Sequence, residues 1–397
     1  MGNFIRPVSE RVSLIASDRL WLEDAAIQQL KTTAQLPGMR RVVGLPDLHP
    51  GRGYPVGASF FSEGRFYPAL CGGDIGCGVS LWQTDLLASK VKLDKLDRQI
   101  GNLDGPVQED EFALLERLAP ELGDRLAALE RQLAEAGLDS ASMRSLGTIG
   151  LGNHFVELQS VLQVEDPQAF DASGMRAKQL QLVVHSGSRG LGQIVLRSHV
   201  DLFSHDGLQA GTPEADDYLR RHDAALVYAG LNRWLIALRV LQRLRCDGAN
   251  ILDVDHNLIT PAVIDGVPGW LHRKGANPAD QGLVMLPGSR DDYSYLIAPL
   301  PVADELSLCS LAHGAGRKWQ RSDCKGRLVK LATPAQLART ALGGRVICAD
   351  RALIYEEAPQ AYKDVDSVLD TLVGAGLVSV VAKSKPVLTY KTRGECC

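Results

Sequence analysis

The stretch CGGDIGCGVSLWQT, Cys71 to Thr84, is a glycine-rich loop running straight into an extended segment, GVSLWQT (78–84), which reads as a strand. The same grammar occurs upstream, where RVVGL (41–45) and VGASFF (56–61) read as strands around the loop PDLHPGRGYP, and downstream, where LQLVVH (180–185) reads as a short buried strand before HSGSRG. Helical patterns fall between and around these strands. A first helix is expected from an N-cap at Ser17 or Asp18 toward Gln35, stopped by Pro37. A helical hairpin with an acidic outer face is expected over 107–137, broken or kinked at Pro120. Further helices are expected over 191–203 and 222–246, the second carrying Leu226, Ala229, Leu235, Leu238 and Leu241 near helical period. From residue 250 onward, short strand-like runs separate polar loops. Strands and helices do not alternate strictly, so the pattern predicts an α+β architecture, mixed β-sheets flanked by helices, rather than a parallel βαβ fold. No linker, repeat or low-complexity tract divides residues 1–397, which read as one catalytic domain.

Bulk composition agrees with such a domain. Hydrophobic residues make up 45% of 397, enough for a large core, and charged residues 23%. A net charge of -4 argues against a wholly basic nucleic-acid binder but leaves room for a local phosphate-binding patch. Charges interrupt Met1–Leu30 and no run of about 18 apolar residues occurs, so neither a secretory signal nor a membrane span is expected. The eight cysteines show no framework spacing, which points to free thiols in a reducing cytoplasm, with Cys396 and Cys397 as tail thiols.

The chemistry concentrates in the loops. Of nine histidines, His49, His154, His185, His256 and His313 stand beside Gly, Ser or Asn, where backbone can approach closely. In GGDIGCG, Asp74 and Cys77 offer a hard and a soft ligand which, with His154, His185 and His256, suit a borderline divalent ion such as Mn²⁺, Zn²⁺ or Co²⁺. The alternative is a tight turn in which Asp74 caps backbone N–H groups and Cys77 packs as a small hydrophobe. GLGNHFVE sets Asn153 and Glu157 around His154, and HSGSRG follows His185 with Arg189, a phosphate-binding loop or an ordinary strand-to-helix turn. HGAGR leaves the imidazole of His313 open to act as a nucleophile. Arg317, Lys318, Arg321, Lys325, Arg327 and Lys330 then face only Asp323, and Lys383, Lys385, Lys391 and Arg393 form a second basic stretch; both read as solvated surface or as contacts to polyphosphate or RNA.

Taken together, DLHPGRGYPVG (47–57), GGDIGCG (72–78), LGNHFVE (151–157), HSGSRG (185–190), DHN (255–257), HRKGA (272–276), LPGSR (286–290), HGAGR (313–317) and YEEAPQAYKDVDSV (355–368) resemble, in order, the motifs of the RtcB RNA ligases. The resemblance implies a deep metal-containing cleft with two Mn²⁺ ions and GTP as cofactors. It implies that Cys77 bridges the ions, with His154 and His185 on one and Asp74 and His256 on the other. His313 would carry GMP as a covalent phosphoramidate, oriented by Asp47. Asn153, Glu157, Ser289, Ser294, Gly314 and Gly316 would contact the nucleotide, and Arg189, Arg317 and Arg321 the RNA. The implied reaction joins an RNA 3′-phosphate or 2′,3′-cyclic phosphate end to a 5′-hydroxyl end, in RNA repair or tRNA splicing. An archease-like activator or a release-factor-like partner would accompany it.

The chain departs from the family pattern in places. PGSR stands for the usual PGSM, which puts Arg290 near the guanine pocket, and Gln320 replaces a serine. The usual Lys-Gly end is KTRGECC, so Arg393, with Lys391 as the alternative, would take the guanine-contacting role. These departures resemble the branch associated with a release-factor-like protein. Two rivals remain: a metal-dependent hydrolase of RNA cyclic phosphate ends, which has no use for a guanylylated His313, and an RNA-binding scaffold, which has no use for five intact metal ligands.

Overall fold

RVVGL forms the middle of the strand Met39–His49, and VGASFF lies within Val56–Ser62, with which it pairs antiparallel. The computed structural model describes residues 4–394, so Cys396 and Cys397 lie outside the described residues. These two strands are central to a six-stranded sheet. Ile5–Ser9 and Val12–Ile15 extend it on one side, and the hairpin Asn257–Ile264/Val267–Lys274 on the other. The hairpin turns on Asp265 and Gly266, both at positive φ, as a two-residue loop matched to strand twist requires.

A second sheet has eight strands. Seven run in the order Gly248–Asp255, Gly78–Leu87, Gln179–Ser186, Phe155–Val164, Val378–Thr392, Ser294–Pro299 and Val284–Pro287; Arg345–Cys348 pairs parallel with Val378–Thr392. The result is α+β, with both sheets mainly antiparallel. The 32-residue helix Pro213–Leu244 packs across this sheet. By length and composition it could cross a bilayer, but 78% of its apolar window is buried within the protein, as a core helix requires. Its Ile236, Val240, Leu241 and Leu244, with Trp82, Leu182 and Val184 of the sheet, form one apolar cluster. Each such side chain contributes about 1.5–3 kcal/mol on leaving water.

Several boundaries differ from the sequence reading. The first helix spans Asp24–Thr33, not Ser17 to Gln35. The Ser17 hydroxyl bonds Thr371 Oγ1 instead of capping a helix, and acidic Asp24 sits favourably in the first turn. The long helix begins at Pro213, because Thr212 accepts a hydrogen bond from Ala215 N; its first turns are polar and weak in apolar period. DVDHN and HRKGAN are not loops between short strands but the ends of long ones. The basic stretch 383–391 belongs to the 15-residue strand Val378–Thr392, in which Lys391 is buried and Lys383 lies 3.7 Å from the centre of the Tyr293 ring. The expected helical hairpin is present as Glu109–Leu118 and Leu122–Glu135, pinned to the long helix through Glu111, which pairs with Arg239 and Arg243.

Candidate active site

Sheet register gathers the histidines. Gly78 opposes Asp255 on one side and Ser186 on the other, and His185 opposes both Val79 and Phe155. Four neighbouring strands thus end level, and the residues at those ends are Cys77, His154, His185 and His256. Asp74 joins them because Cys77 N donates to Asp74 O (3.0 Å), curling the loop back. The loop is pinned from behind: Asn257 Nδ2 donates to Asp74 O at 3.0 Å, and His256 N donates to Cys77 O at 2.8 Å. The glycine at 187 is required, since a Cβ there would lie 2.3 Å from Asp74 Oδ1.

The side chains form two overlapping triads sharing Cys77: Asp74, Cys77 and His154, and Cys77, His185 and His256, with the ligand atoms of each within 4.8 Å of one another. Cys77 Sγ is 3.3 Å from His154 Nε2 and 3.2 Å from His185 Nε2. Asp74 Oδ2 lies 2.9 Å from His154 Nε2, and His185 Nε2 lies 3.4 Å from His256 Nε2. The donor set fits divalent metal. His185 Nδ1–H donates to Asn153 O at 3.2 Å, which leaves its Nε2 lone pair pointing into the cluster. Burial, then neighbouring imidazoles, holds His185 and His256 well below the ordinary histidine value, so both are neutral ligands. Burial, then Asp74, pushes the Cys77 thiol well above its usual value; only a cation at Sγ would hold it as the thiolate. Burial raises the Asp74 carboxyl, but His154 outweighs this and holds it at about 2.

His313 follows the short strand Ser310–Ala312, paired with Ala276–Pro278. Its ring centre is 4.8 Å from that of His256, so it adjoins the ligand cluster. Buried Asp47 accepts from both His313 N (3.0 Å) and Nδ1 (2.5 Å). That fixes the proton on Nδ1 and leaves Nε2 with a free lone pair. Lys363 Nζ donates to the carbonyls of Pro46 and Leu48 at 2.9 and 2.7 Å, bracing Asp47 from both sides. Burial lowers this lysine to about 8, against the pull of Asp47. Gly275 leaves room for the imidazole, since a Cβ there would lie 2.7 Å from His313 Cε1.

Cys77 and His313 face one cleft of about 730 Å³. Asn153, Glu157, Ser289, Gly314 and Gly316 also line it. Ser294 does not: it lies behind Glu157, accepting from Gln159 Nε2, which also donates to Glu157 Oε1. Arg393 is likewise elsewhere. The strand ends at Thr392, and the Arg393 guanidinium bonds the carbonyls of Asp97 and Gly101 at the end of the helix Leu93–Ile100. Lys391, two residues earlier, lines the cleft instead, 3.4 Å from Glu357 and 5.9 Å from the Phe155 ring centre. Arg317 lines the cleft too, but its nitrogens donate to Trp319 O, Glu357, Tyr362, Cys324 and Glu356 O, which makes it a strut rather than a phosphate contact. Among the described residues Arg321 Nε and Nη2 have no hydrogen-bond partner, while Nη1 pairs with Glu357 at 2.6 Å. Arg189, with φ at 58°, stands behind the cluster, its Nη1 3.5 Å from His154 Nδ1.

One organising residue escaped the sequence reading. Arg233, buried in the long helix, pairs with Asp253 and Asp255, and its Nη1 donates to Gly76 O (2.6 Å) and Ser186 O (3.1 Å). Three of these four acceptors border a metal-ligand candidate: Gly76 precedes Cys77, Ser186 follows His185, and Asp255 precedes His256. Its signal was an arginine, one of four in residues 222–246, set amid the apolar period.

Comparison with known proteins agrees with this architecture. The family described as tRNA-splicing ligase RtcB matches residues 29–392. An Escherichia coli protein named RNA-splicing ligase RtcB2 is 54% identical over 394 residues, covering 99% of both chains. The tRNA-splicing ligase RtcB of Nanoarchaeum equitans is 31% identical over 96% of this chain and 95% of its own. The RNA-splicing ligase RtcB of Mycobacterium tuberculosis is 31% identical over 90% of this chain and 99% of its own. A full-length match of this kind, joined to a Cys/His/Asp cluster beside an Asp-held histidine, means that the chain belongs to the RtcB family.

Proposed function

We propose that this RNA ligase uses GTP and two Mn²⁺ ions to join an RNA 3′-phosphate or 2′,3′-cyclic phosphate end to a 5′-hydroxyl end through a covalent His313–GMP intermediate. One observation carries the reading: an imidazole with its Nδ1 proton fixed by Asp47 lies with its ring centre 4.8 Å from that of His256, a member of the Cys77-centred ligand cluster. Asp74, Cys77, His154, His185 and His256 would hold the metal, which supplies Lewis-acid neutralisation of phosphate charge.

His313 Nε2 attacks the α-phosphorus of GTP. A P–N bond forms, the α,β-phosphoanhydride breaks, and pyrophosphate leaves with the electron pair. Asp47 keeps hold of the Nδ1 proton and stabilises the positive charge on the ring. The RNA 3′-phosphate then takes GMP from the histidine, which recovers its lone pair. The 5′-hydroxyl oxygen attacks the activated 3′-phosphorus, loses its proton, and GMP departs. A 2′,3′-cyclic end is first opened by water to the 3′-phosphate. Glu157 and Asn153 are positioned to bind the nucleotide and Arg321 to meet RNA phosphate.

Relatives named for tRNA or RNA splicing support RNA repair or tRNA splicing as the setting. Free thiols at Cys71, Cys77, Cys246, Cys324 and Cys348 suit the cytoplasm. A partner of the archease or release-factor-like kind remains part of the proposal. The test is intact mass after incubation with GTP and Mn²⁺, beside a joining assay with defined RNA ends. A GMP adduct in the wild type, lost in His313→Ala while metal stays bound, is expected. Opening of cyclic ends with neither adduct nor joining would select the hydrolase instead.

A further inference from the structure

Arg290 is an anomaly in the cleft wall. It is 7% exposed, and its Nη2 donates to Ile354 O at 2.8 Å, yet its Nη1 has no partner among the described residues. A buried guanidinium nitrogen without an acceptor is costly, and Arg290 lines the same cleft as Glu157, Phe155 and Lys391. The cleft wall offers three kinds of contact. The Phe155 ring is a flat apolar face. The Glu157 carboxylate accepts hydrogen bonds, held in place by Gln159 and Thr389. Arg290 Nη1 donates. The Glu357 carboxylate nearby, already bound by Arg317, Arg321 and Lys391, would repel a phosphate dianion there but not a neutral carbonyl oxygen.

We propose that Arg290 determines base specificity, its Nη1 donating to O6 of a guanine whose N1–H and 2-amino groups face Glu157. Guanine carries acceptors on one edge and donors on the other in the order this wall demands. Adenine would set its 6-amino hydrogens against the Arg290 N–H and leave both unpaired. The inference rests on reading the cleft as a guanine-nucleotide site.

The test is calorimetric binding of GTP, ATP and 6-thioguanosine 5′-triphosphate, which keeps N1–H and the 2-amino group but has a weakly accepting sulfur in place of O6, to the full chain. Wild type, Arg290→Met and Arg290→Lys are compared, with thermal melts to check folding. Wild type should bind GTP at least about tenfold tighter than the analogue lacking O6, the range for a hydrogen bond to a charged donor. Arg290→Met should lose about tenfold or more for GTP and little for the analogue, so that the preference collapses. Arg290→Lys, which keeps charge and stem but not the fork, should retain only part of it. If wild type prefers GTP and both variants keep its ratio of GTP to analogue, the role of Arg290 is overturned and the guanine site stands. If wild type binds GTP and ATP alike, the guanine reading falls and Arg290 with it.

Discussion

Replacing Arg233 by methionine removes a side chain that touches three of the ligand-bearing elements. In the native protein its Nη2 lies 2.6 Å from Asp255 Oδ1, its Nε pairs with Asp253, and its Nη1 holds the Gly76 and Ser186 carbonyls. Methionine fills comparable volume but leaves two carboxylates and two carbonyls without their donor. Asp253 is about one-third exposed and recovers water, so most of the penalty falls on Asp255 and the carbonyls. Stranding a buried charge in this way costs about 3–5 kcal/mol, against a typical total stability of about 5–15 kcal/mol. The variant should therefore fold, with a lower urea midpoint and weakened Mn²⁺ uptake. The loss should also depend on pH. Burial raises Asp255 to about 6 even with Arg233 pulling it down, so this group favours the fold below the ordinary carboxylate value and loses that contribution as pH rises through about 6. Without Arg233 its pKa rises further, so the stability lost at pH 8 should exceed that at pH 5. Arg233→Lys restores the charge but not the fork, and should fall between. Urea unfolding at both pH values, with metal analysis of the purified protein, reads all of this. A methionine variant within 1 kcal/mol of wild type, with unchanged Mn²⁺ content, would refute the view that Arg233 holds the ligand strands in register.

Other sites give sharper readouts. Asp47→Asn should slow guanylylation of His313 by about 10²–10⁴-fold, the scale of a misplaced proton, while leaving Mn²⁺ bound, because Asp47 lies outside the ligand triads; unchanged guanylylation would rule out its orienting role. Burial raises Glu157 to about 7 despite bonds from Gln159 and Thr389, so the carboxylate proposed to accept guanine N–H groups forms only as pH rises. GTP affinity should increase from pH 6 to pH 8, and Glu157→Gln should flatten the profile; the free protein should move oppositely, losing stability from this group over the same interval. Lys391→Ala should weaken GTP binding about tenfold, whereas Arg393→Ala should leave it within about twofold and lower stability by about 0.5–1 kcal/mol through the lost helix-end contacts; the reverse pattern in calorimetry would return the nucleotide role to Arg393.

Loops rich in glycine and histidine were legible because few other chemistries place Asp, Cys and imidazole on backbone that can approach so closely. The hairpin at 107–137 was legible from its period and Pro120. Strand Val378–Thr392 was not, since its lysines suggested solvent, and burial of Lys391 depends on Glu357 arriving from 34 residues away in sequence. Arg317 and Arg321 are similar as letters but opposite in use, one fully engaged as a strut and the other with donors to spare, a difference that arises where Glu356, Glu357 and Tyr362 pack.

The sequence alone determined which groups are available: a thiol, a carboxylate and three imidazoles in glycine-rich loops, one open histidine, and an arginine in LPGSR. Tertiary structure decided how they are grouped and which are free. Cross-strand register set Cys77 level with His185 and His256, and the end of a strand turned Arg393 away while leaving Lys391 inside. The physical reason is that ligand geometry and hydrogen-bond satisfaction are properties of neighbours brought together from distant parts of the chain, which local pattern does not encode.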